Sequence, residues 1–187
     1  KDMDIKIIIT DDKSSKENLS RIDQILKVSN LETDLINLKE NEFEDQIQTI
    51  DTNSVAYAGS NGAIGIFSEE QTLSQVHFPT YQDSITPNFR SIAFNGKDYF
   101  ALSIGNPALL YQLSEGITSL VYSESHEKVF YDSMHFFEDN VHAIAVGDPT
   151  GNCPSIIVTE DRGKSWRKLP CTSLPVFEAG EAFFAAS

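Results

Sequence analysis

Few residues in this chain have types and spacings that could do chemistry. Three histidines, His126, His135 and His142, share no metal-ligand spacing. His135 and His142 are expected on successive strands, in structural roles. Cys153 and Cys171 do not form a CxxC pair and have no histidine nearby, which speaks against a metal. The glycine-containing run Gly59-Ser60-Asn61-Gly62-Ala63-Ile64-Gly65 lacks the GxGxxG spacing, and no helix pattern follows it to hold a pyrophosphate. Asp132 and Asp148 fall at strand-end or loop positions, where a carboxylate either caps a turn or faces a ligand. With Arg90 they are the candidate partner-facing residues. No catalytic residue, metal ligand or cofactor is assigned.

The elements that must position these residues are short β-like runs, and the runs repeat. One unit reads Gln46–Ile50, Val55–Gly59, the turn Ser60-Asn61-Gly62, then Ala63–Phe67. The next reads Phe89–Phe94, Tyr99–Gly105, the turn Asn106-Pro107, then Ala108–Tyr111. The third reads Phe130–Phe136, His142–Gly147, the turn Asp148-Pro149, then Ser155–Val158. Gly59, Gly105 and Gly147 mark the same point of each unit, 46 and 42 residues apart. A period in the forties with about four short strands per unit is the pattern of propeller blades; a β-sandwich of similar strands is the competing reading. The spacing predicts an all-β chain with four-stranded antiparallel blades at 45–80, 88–123 and 129–172, and the first strand of another at 180–187. Residues 1–44 differ, with no Gly and no Pro. There Asp4-Ile5-Lys6-Ile7 alternates like a strand, and Ser14-Ser15-Lys16-Glu17 with Leu19, Ile22, Ile25 and Leu26 suits a helix near 15–28.

One motif is specific. Thr159-Glu160-Asp161-Arg162-Gly163-Lys164-Ser165-Trp166 fits Ser/Thr-x-Asp-x-Gly-x-x-Trp, the Asp-box of propeller hairpins. Thr159, Asp161, Gly163 and Trp166 are its structural residues: Asp161 accepts from turn N–H groups, Gly163 takes a positive φ, and Trp166 packs beside the hairpin. Ser68-Glu69-Glu70 and Ser114-Glu115-Gly116 hold the matching hairpins in degenerate form. Residue 162 lies midway between Cys153 and Cys171, so a regular hairpin sets the cysteines opposite one another, open to a disulfide unless a bulge shifts the register. Two free thiols are the alternative. The Asp-box also occurs in sialidases, whose chemistry needs an arginine triad. Of Arg21, Arg90, Arg162 and Arg167, two sit in or beside the peripheral hairpin. A carbohydrate-active, sialidase-like propeller is therefore the alternative and not the main reading.

Residues 45–187, about three quarters of the chain, resemble the photosystem II stability/assembly factor-like propellers in the exported form of Bacteroidetes-type bacteria. The resemblance is carried by Asn88-Phe89-Arg90-Ser91-Ile92, Asn106-Pro107-Ala108-Leu109-Leu110-Tyr111, Val129–Met134, Gly147-Asp148-Pro149, Thr159–Trp166 and Gly180–Ser187. It implies a non-enzymatic module that binds partner proteins during assembly, periplasmic or outer-membrane-associated, in an outer-membrane or secretion-related complex. Composition fits a globular chain, 40% hydrophobic and 10% aromatic. The net charge of −14 opposes a phosphate backbone, so nucleic acid is not an expected partner. No apolar run approaches the roughly 20 residues of a membrane-spanning helix. Because three blades leave open apolar faces, further blades or a partner chain are expected to cover the C-terminal blade.

Overall fold

The computed structural model describes residues 46–49, 54–68, 75–178 and 180–183, all within one compact unit, Glu44–Ser187. The N-terminal segment 1–44, with its expected strand and helix, lies outside the described residues, as does the end of the expected strand at 180–187. The chain folds as a partial β-propeller of four-stranded antiparallel blades. The first blade is β1 (Gln46–Thr49), β2 (Ser54–Ala58), β3 (Ile64–Ser68) and β4 (Gln75–His77). The second is β5 (Asn88–Phe94), β6 (Tyr99–Ile104), β7 (Ala108–Ser114) and β8 (Ile117–Glu124). The third is β9 (Tyr131–Phe136), β10 (Ala143–Gly147), β11 (Ser155–Thr159) and β12 (Arg167–Lys168). In each sheet the strands pair in chain order. The first strands β1, β5 and β9 lie side by side from blade to blade.

Turn chemistry closes these hairpins as the residue types require. Glu115 and Gly116 both take positive φ, 49° and 78°, in the two-residue turn that pairs Ser114 with Ile117. Asn61 and Gly62 do the same between β2 and β3, and Asn106–Pro107 is a cis peptide between β6 and β7.

The hydrophobic cores sit between blades, because a sheet has two faces and no interior of its own. Side chains alternate along a strand, so the second blade serves two cores. Phe100, Leu102, Ala108 and Leu110 pack with Tyr131, Met134, Phe136, Ala145, Ile157 and Trp166 of the third blade. Tyr99, Ala101, Leu109, Tyr111 and Leu113 pack with Ala56, Ala58 and Ile64 of the first, around Phe89 and Ile92. As a result β6 is buried almost end to end, whereas β10 and β11 alternate buried and half-buried positions. The half-buried positions are Ile144, Val146, Ile156 and Val158, on the face turned away from the second blade. Residues 180–183 form no strand; instead the Phe183 N–H donates to Asp148 Oδ1 at 2.9 Å, and the Phe183 ring meets Phe177 at 5.4 Å.

Phe100 is the centre of the larger core. It is fully buried, with ring centroids 4.9 Å from Phe136 and 6.3 Å from Trp166. A Cβ built on Gly163 would stand 2.3 Å from its ring. Replacing Phe100 with Ala is expected to cost about 3–5 kcal/mol, as large core truncations do. Urea unfolding followed by Trp166 fluorescence measures it, and a loss under about 1 kcal/mol would show that the two blades do not depend on this contact.

Candidate functional site

Arg90 and Asp132 lie near the start of successive first strands, at the middle of the matching triplets Phe89-Arg90-Ser91 and Tyr131-Asp132-Ser133. Both strands are irregular there. Phe89 pairs with Ser103 and Ser91 with Leu102, leaving Arg90 without a partner. Ser133 pairs with Val146 and Tyr131 with Gly147, leaving Asp132 without one. A bulge adds one residue and re-aims the side chain out of the alternating pattern. Gly147 fits this backbone for a steric reason: a Cβ on it would lie 2.2 Å from the Phe130 carbonyl oxygen and 2.7 Å from the Tyr131 Cα.

The two bulged side chains meet. Arg90 Nε stands 3.8 Å from Asp132 Oδ1, an ion pair but not a hydrogen bond. The guanidinium carbon lies 5.5 Å from the centroid of the Phe130 ring, within cation–π range. Arg90 is partly exposed and Asp132 only 4%. Both Arg90 Nε and Asp132 Oδ2 are buried without a hydrogen-bond partner. Burial raises the Asp132 carboxyl above its ordinary value of 3.8; the charge of Asp148 adds to the rise, and Arg90 opposes it. Asp148 follows β10, donates its N–H to the Phe130 carbonyl at 2.8 Å, and accepts from Phe183. The three sequence candidates thus lie in one cluster, and Phe130 is the member that sequence reasoning did not assign. The shared Phe/Tyr-x-Ser pattern, 42 residues apart, was the signal that could have aligned Arg90 with Asp132.

Asp148 also borders a groove of about 510 Å³, whose walls include Lys128, Asn152, Phe177, Glu178 and Glu181. The disulfide Cys153–Cys171 ties these walls together, with Cα atoms 5.5 Å apart. The bond closes beyond the β11–β12 ladder, which pairs Ile157 with Lys168 and Val158 with Arg167, one residue away from the register expected for the cysteines. Pro154 and Pro170 flank the bond, and the Phe177 N–H donates to the Asn152 carbonyl at 2.9 Å.

The Thr159–Trp166 turn is held by its own side chains. Thr159 Oγ1 donates to Asp161 Oδ1 at 2.8 Å and accepts from the Gly163 N–H at 3.0 Å. Asp161 accepts from Ser165 N–H at 3.0 Å and Ser165 Oγ at 2.6 Å. Burial works against ionisation of Asp161, and the bonds from Ser165 and Thr159 outweigh it, holding the carboxyl below its usual value. Trp166 Nε1 donates to the Gly163 carbonyl at 3.1 Å. Arg162, at φ 67°, accepts at its carbonyl from Asn95 Nδ2 of the second blade at 2.8 Å. Arg167 pairs with Glu160 at 2.7 Å on the surface. Neither arginine is near Arg90.

A second polar cluster joins the blades. Glu124 Oε2 accepts from Tyr122 and Tyr131 hydroxyls, each at 2.8 Å, and Oε1 accepts from Lys168 Nζ. Lys168 also donates to Thr150 Oγ1 at 3.1 Å and Ser155 Oγ at 3.2 Å. Burial raises the Glu124 carboxyl, but the donors, Lys168 foremost, outweigh it and hold it below its ordinary value. Burial also pushes both tyrosine hydroxyls well above theirs. Every polar member is satisfied, which suits a joint between blades. His135 lies beside Phe137, and exposed His142 contacts Asp139 at 2.6 Å; the two do not converge on a site. Among the described residues there is no group of three or more His, Cys, Asp or Glu that could hold a metal, and no helix long and apolar enough to cross a membrane.

No family model and no curated protein matches the chain. Among solved structures it is similar to one described as YCF48 bound to D1 peptide, at 18% identity and TM-score 0.48. That likeness covers 66% of this chain and 38% of the other. It is also similar to the crystal structure of the tricorn protease, at 12% identity and TM-score 0.46, covering 65% of this chain and 12% of that one. The chain thus spans well under half the length of either.

The Asp132 carboxyl gives a test of the site's electrostatics. Because the folded state binds this proton more tightly than the unfolded chain, ionisation costs stability as pH rises through the window above 3.8. Melting curves of the protein and of Asp132→Asn, taken from about pH 3 to about pH 7, should therefore diverge. The variant is expected to gain on the parent as pH rises. A constant difference would show that the carboxyl titrates as it does in the unfolded chain.

Proposed function

We propose that this chain is a non-enzymatic propeller module that binds a partner protein through the face carrying Arg90, Asp132 and Asp148. The observation that carries the reading is the pair of bulges at Arg90 and Asp132. At the same point of two successive blades they aim a cation and an anion out of the sheet alternation, beside the aromatic ring of Phe130. The groove beside Asp148 extends this face with charged walls. The Thr159–Trp166 turn is a structural Asp-box in this reading, since its polar side chains are engaged in closing the turn itself. The glycoside-cleaving alternative needs several arginines at one substrate carboxylate. Among the described residues Arg90 has no second arginine beside it: Arg162 and Arg167 lie at the hairpin end.

The Cys153–Cys171 bond supports an oxidising compartment, in keeping with an exported, periplasmic or outer-membrane-associated protein. An assembly role within an outer-membrane or secretion-related complex, in a Bacteroidetes-type bacterium, follows from the resemblance carried by the repeats and is part of the proposal. So is the cover over the third blade: Ile144, Val146, Ile156 and Val158 make a half-buried apolar face suited to a further blade or a partner chain.

Affinity purification from the native host tests the reading. The parent chain should retain a stoichiometric protein partner identified by mass spectrometry. Arg90→Ala, which also removes the countercharge of buried Asp132 and is therefore compared at a temperature where circular dichroism shows an intact fold, should weaken retention about tenfold or more, as the loss of an interfacial arginine does. Undiminished capture by Arg90→Ala would move the partner to another face.

A further inference from the structure

A buried donor or acceptor without a partner is uncommon in a folded protein and costs the full loss of its hydration. The cluster at the bulges holds one of each: the Nε–H of Arg90 and the Oδ2 of Asp132. Arg90 Nε stands 3.8 Å from Asp132 Oδ1, too far for the two side chains to satisfy one another. Arg90 makes no hydrogen bond among the described residues and rests on the face of Phe130. The Arg90 side chain is itself 39% exposed, so the pair is approached from solvent on the arginine's side.

The charges around the pair restrict what can enter. A carboxylate would meet Arg90 but stand beside Asp132 and Asp148; an ammonium would be drawn to the two carboxylates but has no acceptor for the Arg90 Nε–H and would leave it unpaired. A neutral group with an acceptor and a donor side by side meets both orphaned atoms at no electrostatic cost. A primary carboxamide has that arrangement along one edge, and an extended main-chain residue has it in its own N–H and C=O, with the C=O toward Arg90 and the N–H toward Asp132. We infer that the Arg90–Asp132 pair is an amide-recognition site, which takes the N–H and C=O of one extended main-chain residue of a partner, or an Asn/Gln side chain, in preference to a free carboxylate. This inference rests on the reading of this face as the partner-binding one and specifies the chemistry recognised there. The sequence equivalence of the two positions places the Arg/Asp pairing at the joint between the second and third blades.

The test follows the Arg90 Nε–H and the Asp132 carboxyl carbon by NMR while three probes are added in turn: N-acetylglycine methylamide, propionamide and acetate. Either amide is expected to shift both signals, at concentrations about tenfold below those at which acetate moves Arg90. A response to the methylamide alone assigns the main chain as the source, and to propionamide alone the side chain. Asp132→Asn, checked by its amide spectrum for an intact fold, should reverse the ranking in favour of acetate by removing the opposing charge. If that variant does not fold, the ranking of the probes on the parent protein decides by itself. Acetate equal to or better than the amides, no response to any probe, or an unchanged ranking in a folded Asp132→Asn would overturn the inference. An acetate preference together with loss of the protein partner in Arg90→Ala would sink the amide site and leave the binding face. An amide preference with the partner retained would do the reverse.

Discussion

A four-stranded sheet exposes two faces and encloses nothing, so each blade depends on its neighbours for the burial that makes it stable. The second blade shows what this requires. Tyr99 and Ala101 point one way along β6 and Phe100 and Leu102 the other, and both sets are buried. The same dependence gives β6 and β7 their near-continuous apolar sequences, Tyr99-Phe100-Ala101-Leu102 and Ala108-Leu109-Leu110-Tyr111. Everything that positions the candidate site descends from this packing. The first strands lie side by side because their sheets are stacked, and only then can Arg90 of β5 and Asp132 of β9 meet.

Polar contacts refine the stacking rather than drive it. Gly163 presses its backbone against Phe100, and Asn95 caps the Arg162 carbonyl, so the hairpin of the third blade docks onto the second. Glu124 gathers two tyrosine hydroxyls and the Lys168 ammonium at the opposite end of the same joint. A buried ionic group contributes little net stability, but misalignment would leave charges unpaired, so such a cluster fixes one relative setting of the two sheets.

Much of this was legible in the sequence, and the reasons differ by element. The inner and middle strands announce themselves because burial between sheets demands β-branched, aromatic and small apolar residues in short runs. Gly105, Gly147 and the Asn-Gly and Asp-Pro turns mark hairpin ends, since few residue types fit those backbones. The outermost strands were harder to see. Gln75–His77 and Arg167–Lys168 are two or three residues long and largely polar, so they carry no periodicity. The Glu124 cluster was invisible for another reason: Glu124 and Lys168 are 44 residues apart and only the fold brings them together. Arg90 and Asp132 were legible as isolated charges near strand starts. Their pairing was not, because a bulge is a property of the ladder and not of either residue.

The disulfide encloses the Thr159–Trp166 turn within its loop, and that has a consequence for a chain cut by a protease. Arg162, Lys164 and Arg167 are exposed and sit on the segment between Cys153 and Cys171. They are the cleavage points a trypsin-like protease would choose, in a turn with no other covalent protection. A cut at any of them leaves the two halves linked through sulfur, with the downstream residues still held against Asn152 and Asp148. The hairpin can therefore be nicked without shedding the wall of the groove that follows it.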